Sequence, residues 1–275
     1  MTKGLPTAQT PVLRYRGSNA CQTTDTVARE EPLEIRVNGF TSAYLMRLPG
    51  DDGALAAGYC LSEGLLSHRD ELGVIELHHE EQAQLPGGSD RDVPDRVEVV
   101  IPGLKRAGDS RSPRLVRTGA GGLRPEQELA ACGVTVDSET CFSPEVILAS
   151  PGLLESGQAV FRKTGGTHGA GLFDVTGRML AVREDVGRHN ALDKVLGHLL
   201  LSGGTGVDKA LILSGRLSYE MVLKAARAGI PLVCSVSAPT LLGVQIGVRT
   251  GVTVVGFLRG GSFNVYSHHW RAGGA

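Results

Sequence analysis

Four short stretches combine residue types that can do chemistry. Cys132, in Ala131-Cys132-Gly133-Val134-Thr135, stands at the far end of a polar, Gly/Arg-rich segment over residues 103–131. A thiol so placed can be exposed, and the thiolate is the nucleophile of sulfur chemistry; a small buried hydrophobe is the competing reading. Thr164-Gly165-Gly166-Thr167-His168-Gly169-Ala170-Gly171 sets consecutive glycines beside hydroxyls, so backbone N–H groups can converge on an anion. Its glycine spacing fits neither a Walker A loop nor a dinucleotide fingerprint, and a plain turn explains it equally well. Arg183-Glu184-Asp185-Val186-Gly187-Arg188-His189-Asn190 runs on to Asp193 and Lys194. There Glu184 and Asp185 can cap a following helix and Arg188, His189 and Lys194 can face a phosphate, unless the run is a solvated surface. Gly256-Phe257-Leu258-Arg259-Gly260-Gly261-Ser262 offers an aromatic face for a base, a guanidinium for bidentate phosphate contact and free amides, or else a hairpin turn into residues 263–266.

These stretches need a scaffold, and apolar periodicity supplies one. Leu33, Ile35 and Val37 alternate with Glu34 and Arg36 before Asn38-Gly39, which predicts a strand entering a hairpin. Asp51-Asp52-Gly53 can start a helix from Ala54 to about Leu66, and residues 97–101 form a short apolar strand. Residues 1–26 lack periodicity and read as a loose leader; residues 78–96 and 103–131 read as polar loops. From Pro144 the pattern changes to alternating helices and strands. A helix over about 143–156 precedes a hairpin at 172–182, and Leu192, Val195, Leu196, Leu199 and Leu200 form a helical stripe. Apolar strands follow at 210–213, 231–236 and 252–258, with a helix from Ser218 to Ala228 after the first. Strand–helix alternation of this kind predicts a layered α/β domain, in which ligands gather at strand C-termini.

Composition removes several classes. In 275 residues, 28 Lys or Arg against 29 Asp or Glu leave a net charge of −1, without the basic face a duplex DNA binder needs. No nucleic-acid partner is expected. The longest charge-free run, residues 230–248, contains Pro231, Pro239 and Gln245, so it reads as strand, loop and helix start rather than a membrane span. The N-terminus shows no apolar signal region, and five irregularly spaced cysteines fit reduced thiols in the cytoplasm. No CxxC pair occurs, so no structural zinc site and no permanently bound metal are expected.

Seven stretches in order resemble the FdhD family, the sulfur carriers required for formate dehydrogenase activity. They are EEPLEIRVNG (30–39), PGDDGALAAGYCLSEGLL (49–66), TGGTHGAGLFD (164–174), EDVGRHNALDKVLG (184–197), SGRLSYEMVLKAARAGIP (214–231), SVSAPT (235–240) and GFLRGGSFNVYSH (256–268). The resemblance implies a cytidine-deaminase-like layered α/β domain over 143–275, a smaller N-terminal α+β region over 27–142 carrying the cysteine loop, and a cytoplasmic homodimer. It implies that sulfur arrives from a cysteine desulfurase as a cysteine persulfide. That sulfur then passes to the bis-molybdopterin guanine dinucleotide form of the molybdenum cofactor, for formate dehydrogenase. Cys132 matches the first cysteine of the family's CGxCG loop and would carry the persulfide. Phe257, Leu258, Arg259, Gly260, Gly261 and Ser262 match the segment that contacts the guanine dinucleotide. Thr135 stands where the loop's second cysteine is usual, so a step needing paired thiols does not carry over. Cys141 is a candidate substitute, expected instead to pack beside Phe142. The rival functions are a cofactor-binding chaperone without sulfur transfer, and a deaminase-like metal hydrolase, which the absence of a PCxxC ligand pair disfavours.

Overall fold

The computed structural model describes residues 5–78, 94–104, 114–115 and 133–273. Cys132 and most of the two polar segments expected as loops lie outside the described residues. The segment expected as a loose leader instead pairs as a hairpin, β1 (Thr7–Arg16) with β2 (Asn19–Ala28), in unbroken register from Thr7↔Ala28 to Arg16↔Asn19. Gly17, at φ 63°, turns the chain. The strands are rich in threonine, which suits extended backbone. Residues 13–22 are exposed throughout, so no apolar alternation marks them in the sequence.

Strands β3 (Glu31–Val37) and β4 (Phe40–Arg47) form the expected hairpin, with Asn38 at φ 50° and Gly39 at φ 82°, the paired positive φ that a tight primed turn requires. Together with β5 (Ile75–His78), β6 (Asp95–Val99) and β7 (Arg114–Leu115) they make a five-stranded sheet ordered β5-β6-β3-β4-β7. Helix α1 (Asp52–Ser62) follows β4. Asp52 does not cap it by a side-chain bond but meets Arg47, Nε to Oδ1 at 3.0 Å, in a buried cluster that Asp95 and Glu31 join.

A six-stranded sheet occupies the second half. Helices α2 (Pro144–Gly157) and α3 (Ala159–Thr164) precede the hairpin β8 (His168–Asp174) and β9 (Met179–Asp185). Then come α4 (Arg188–Leu201), β10 (Lys209–Leu213), α5 (Tyr219–Arg227), β11 (Leu232–Ser235), α6 (Leu241–Thr250), β12 (Thr253–Arg259) and β13 (Ser262–Val265). The sheet order is β13-β12-β11-β10-β8-β9; β10, β11 and β12 run parallel, and β8 and β13 pair antiparallel to their neighbours. Pleating sends successive residues to opposite faces. Leu211 and Leu213 join α4, α5 and α6 in one core, whereas Ala210 and Ile212 join Ile147 and Leu154 of α2 in the other. Phe142 closes that second core edge-on against Phe173, ring centres 5.9 Å apart.

The first core is continuous from Leu33, Ile35, Val97 and Val99 of the five-stranded sheet, through α1, to α4 and β10. Close approach of α1 and α4 depends on two glycines. A Cβ at Gly58 would lie 1.8 Å from the Asp193 carbonyl oxygen, and one at Gly197 1.8 Å from that of Ala54. Only hydrogen side chains fit such a crossing. Among the described residues no helix is long and apolar enough to cross a membrane.

Candidate functional site

The carboxyl ends of β10, β11 and β12 are laced together by short polar contacts. Gly169 N and Ser214 Oγ meet at 3.0 Å, tying the start of β8 to the end of β10. Ser235 Oγ donates to Gly215 O at 2.6 Å, and Phe257 N donates to Ser237 O at 2.9 Å, tying β10 to β11 and β11 to β12. Three of the four chemically promising stretches thus meet along one edge of the sheet: 164–171, 183–194 and 256–262. They are joined by 214–216 and 235–240. These two connecting loops carried no chemical prediction. The signal that identifies them is their position, between a buried parallel strand and a helix.

A cavity of about 570 Å³ opens at this edge. Pro151, Leu154 and Phe161 form an apolar wall, and Thr167, His168 and Ser214 supply polar groups. His168 Nδ1 lies 3.2 Å from Ser214 Oγ. Burial, and then the charges of Arg188 and His189, hold His168 below the usual histidine range, so its ring is neutral at pH 7. His189 Nε2 reaches Glu220 Oε2 at 2.8 Å, joining the first turns of α4 and α5, and this bond lowers the Glu220 pKa.

Within 183–194 the structure separates site from scaffold. Lys194, expected to face a phosphate, is only 1% exposed; its Nζ sits 2.8 Å from Asp185 Oδ2 and donates to Leu48 O at 2.8 Å. It is removed from any ligand because a buried ammonium must be paired. Asp185 also accepts from Leu48 N, Gly187 N and Asn190 Nδ2, so it fixes the turn into α4. Glu184 caps a different helix from the one expected, accepting from Val160 N at 2.8 Å and Phe161 N at 2.7 Å at the start of α3. Arg188 and His189 alone of the basic side chains in that stretch lie at the strand-end edge.

Further along the same strand-end edge, outside the cavity lining, β12 carries an extra residue relative to β13 between Gly256 and Arg259. Phe257 occupies this bulge at φ 54°, a left-handed conformation unusual for an aromatic residue, and is 36% exposed. Arg259 lies over its ring, the guanidinium carbon 5.5 Å from the centre. Gly260 and Gly261, at φ 60° and 76°, make the turn, and Ser262 Oγ donates to Arg259 O. Leu258 is buried in the second core, so only its backbone faces the site.

Among the cysteines of the described residues, Cys60 and Cys234 are buried, and burial pushes both thiols up, Cys60 to about 12. Cys21 and Cys141 are exposed. Cys141 therefore does not pack beside Phe142 as expected: its neighbour alone turns into the core. Among the described residues no group of three or more His, Cys, Asp or Glu side chains could hold a metal ion.

These features define a mixed α/β protein with a cavity at the strand-end edge of its six-stranded sheet. The FdhD/NarQ family profile matches residues 28–272, and the chain belongs to that family. It is 40% identical to a sulfur carrier protein FdhD of Streptomyces avermitilis, over 98% of this chain and 96% of that one. A sulfur carrier protein FdhD of Thermoplasma acidophilum is 39% identical over 95% and 92%. A solved chain from Desulfotalea psychrophila, described as a formate dehydrogenase accessory protein, superimposes with a TM-score of 0.75 at 26% identity, covering 97% of this chain and 99% of that one.

Proposed function

We propose that this chain is a sulfur carrier serving a formate dehydrogenase. The observation that carries the reading is near full-length similarity, at about two residues in five, to proteins named as sulfur carriers. Cys132 is the carrier: its thiolate attacks the outer sulfur of a cysteine desulfurase persulfide, the donor cysteine leaves as thiolate, and Cys132 holds the persulfide. The recipient is the molybdenum cofactor in its bis-molybdopterin guanine dinucleotide form, bound as substrate. Phe257 to Ser262 receive the guanine dinucleotide, supported by a half-exposed ring with a guanidinium beside it. The carrier acts as a homodimer in the cytoplasm. The six-stranded sheet with helices on both faces is the cytidine-deaminase-like layer, and residues 27–142 its N-terminal companion.

Thr135 favours a second reading, a cofactor-binding chaperone that does not transfer sulfur, because the second loop cysteine is missing. Incubation with a cysteine desulfurase and cysteine, followed by intact-mass and peptide analysis, separates the two. A reductant-sensitive gain of one sulfur on Cys132 supports the carrier. No gain, with guanine nucleotide still bound, supports the chaperone, and a gain on Cys141 reassigns the thiol.

A further inference from the structure

Residues 133–142 turn alternate side chains inward and outward: Val136, Ser138 and Phe142 are buried, whereas Thr135, Asp137, Glu139 and Cys141 are exposed. Bonds on the inner side pin this ribbon. Val136 N donates to Thr250 O at 2.8 Å, at the end of α6, and Ser138 Oγ donates to Val207 O at 2.7 Å. The buried Arg271 guanidinium donates to Ser138 O and to Gly251 O, each at 2.7 Å, and Phe142 N donates to Arg271 O at 2.8 Å. The ribbon is therefore a fixed post between the end of α6 and the short helical turn His269–Ala272.

Cys132 precedes Val136 by four residues, and four residues of main chain span at most about 14 Å. A donor that hands sulfur to Cys132 must settle around that radius from the end of α6. The segment read as contacting the guanine dinucleotide begins near the other end of β12, whose seven residues extend roughly 20 Å. This ground is thus left to the donor rather than to the recipient.

The surface here is apolar. Val207, whose carbonyl accepts from Ser138 and Thr140, is half-exposed, and so is Val248 on the outer side of α6. Trp270, the chain's single tryptophan, is 39% exposed. It stands two residues from His268, whose Nε2 lies 3.3 Å from Val248 O. The guanidinium carbon of Arg271 sits 4.3 Å from the centre of the Trp270 ring. This stacking on a buried, fully bonded side chain fixes the ring before any partner arrives, which cuts the ordering cost of binding. A rigid, part-exposed tryptophan among apolar neighbours is the usual anchor of a protein interface, and Asp137, Glu139 and Arg249 supply its polar rim.

Resting on the sulfur-carrier reading, we infer that Trp270, Val248 and Val207 form the surface on which the persulfide-bearing donor enzyme docks, with Trp270 as its anchor.

Titration of the full chain with a purified cysteine desulfurase tests this, with calorimetry for affinity and intact mass for sulfur loaded onto Cys132. Val248→Glu and Trp270→Ala should each weaken desulfurase binding about tenfold or more, and slow loading in proportion at subsaturating desulfurase. Their melting temperatures and the alkylation of Cys132 by iodoacetamide should match the wild type, which separates a lost partner from a damaged thiol. Trp270→Phe should recover part of the affinity. Leu77→Glu puts the same charge on a half-exposed apolar residue of β5 and should change nothing. If Trp270→Ala misfolds, Val248→Glu carries the test. Unchanged desulfurase affinity in both variants would overturn the inference and leave the carrier role intact. An equal loss in Leu77→Glu would also overturn it. So would a wild-type dimer that falls to monomers in both variants while desulfurase affinity holds, which gives the patch to a second copy. Weakened binding in the variants, with no sulfur gained on Cys132 of the wild type, would support the surface and overturn the carrier reading instead.

Discussion

Lys224 and Asp193 form a buried ion pair, Nζ to Oδ2 at 2.9 Å, where α1, α4 and α5 meet. Ser62 Oγ donates to Asp193 Oδ1 at 2.7 Å and accepts from Lys224 Nζ at 2.6 Å, and Glu63 accepts from the same ammonium at 3.1 Å. Burial alone would lower the Lys224 pKa, but attraction to Asp193 and Glu63 holds it above the ordinary lysine value. Burial raises the Asp193 pKa against the pull of Lys224 and Ser62, and the pair fixes the relative position of three helices, two of which begin at the strand-end edge of the six-stranded sheet.

Removing one partner leaves an uncompensated buried charge. Lys224→Met or Asp193→Asn should each cost about 3–5 kcal/mol, and the double variant should lose clearly less than their sum. Urea unfolding of the four proteins measures the coupling. Strictly additive losses would show that the two residues do not act as a pair.

The glycine crossing gives a sharper packing test. Gly58→Ala would drive a methyl group into the Asp193 carbonyl, which belongs to a helix backbone and cannot rotate aside. It should destabilise by about 3 kcal/mol. Gly152→Ala, on α2 with open space around it, should be neutral by comparison. Equal denaturation midpoints for both variants would contradict the observed approach of α1 and α4.

How much of this was legible beforehand depends on what each residue faces. The apolar runs of β10, β11 and β12 are visible because both their faces are buried, and Asn38-Gly39 announces its own turn. The β1–β2 hairpin is not, because solvent on both sides of residues 13–22 erases periodicity. The charge run at 183–194 shows its residue types but not its sorting into Arg188 at the strand-end edge and Lys194 in the interior. That sorting depends on Leu48 and Asp185 being brought together by tertiary packing. Ser214, Ser235 and Phe257 are distant in sequence and become neighbours only through parallel strand pairing, which has no local signature.

His168 supplies a pH test. Burial, with Arg188 and His189 nearby, places its folded pKa below the unfolded value of about 6.5. The unfolded chain therefore binds a proton more readily than the native protein. The corresponding stability is complete above about pH 6.5 and is lost as pH falls below it. Between pH 7.5 and 5.5 the melting temperature of the wild type should fall more than that of His168→Gln. His198, also lowered by burial and Arg183, is present in both proteins and cancels in the difference. Parallel slopes would mean that His168 is not held neutral by its surroundings.

Phe257 pairs an exposed ring with a left-handed backbone at φ 54°, and the two properties can be separated. A residue with a Cβ adopts this conformation at a cost that glycine avoids, roughly 1–2 kcal/mol. Phe257→Ala and Phe257→Gly both delete the ring, so both should lose guanosine and GDP binding if the ring stacks on the base. They should differ in stability, with the glycine variant firmer by about 1 kcal/mol. Equal stability of the two variants would show that the bulge relaxes once the ring is gone. Retained guanosine affinity in both would move the base away from Phe257, since the cation–π contact with Arg259 would then be the ring's sole role.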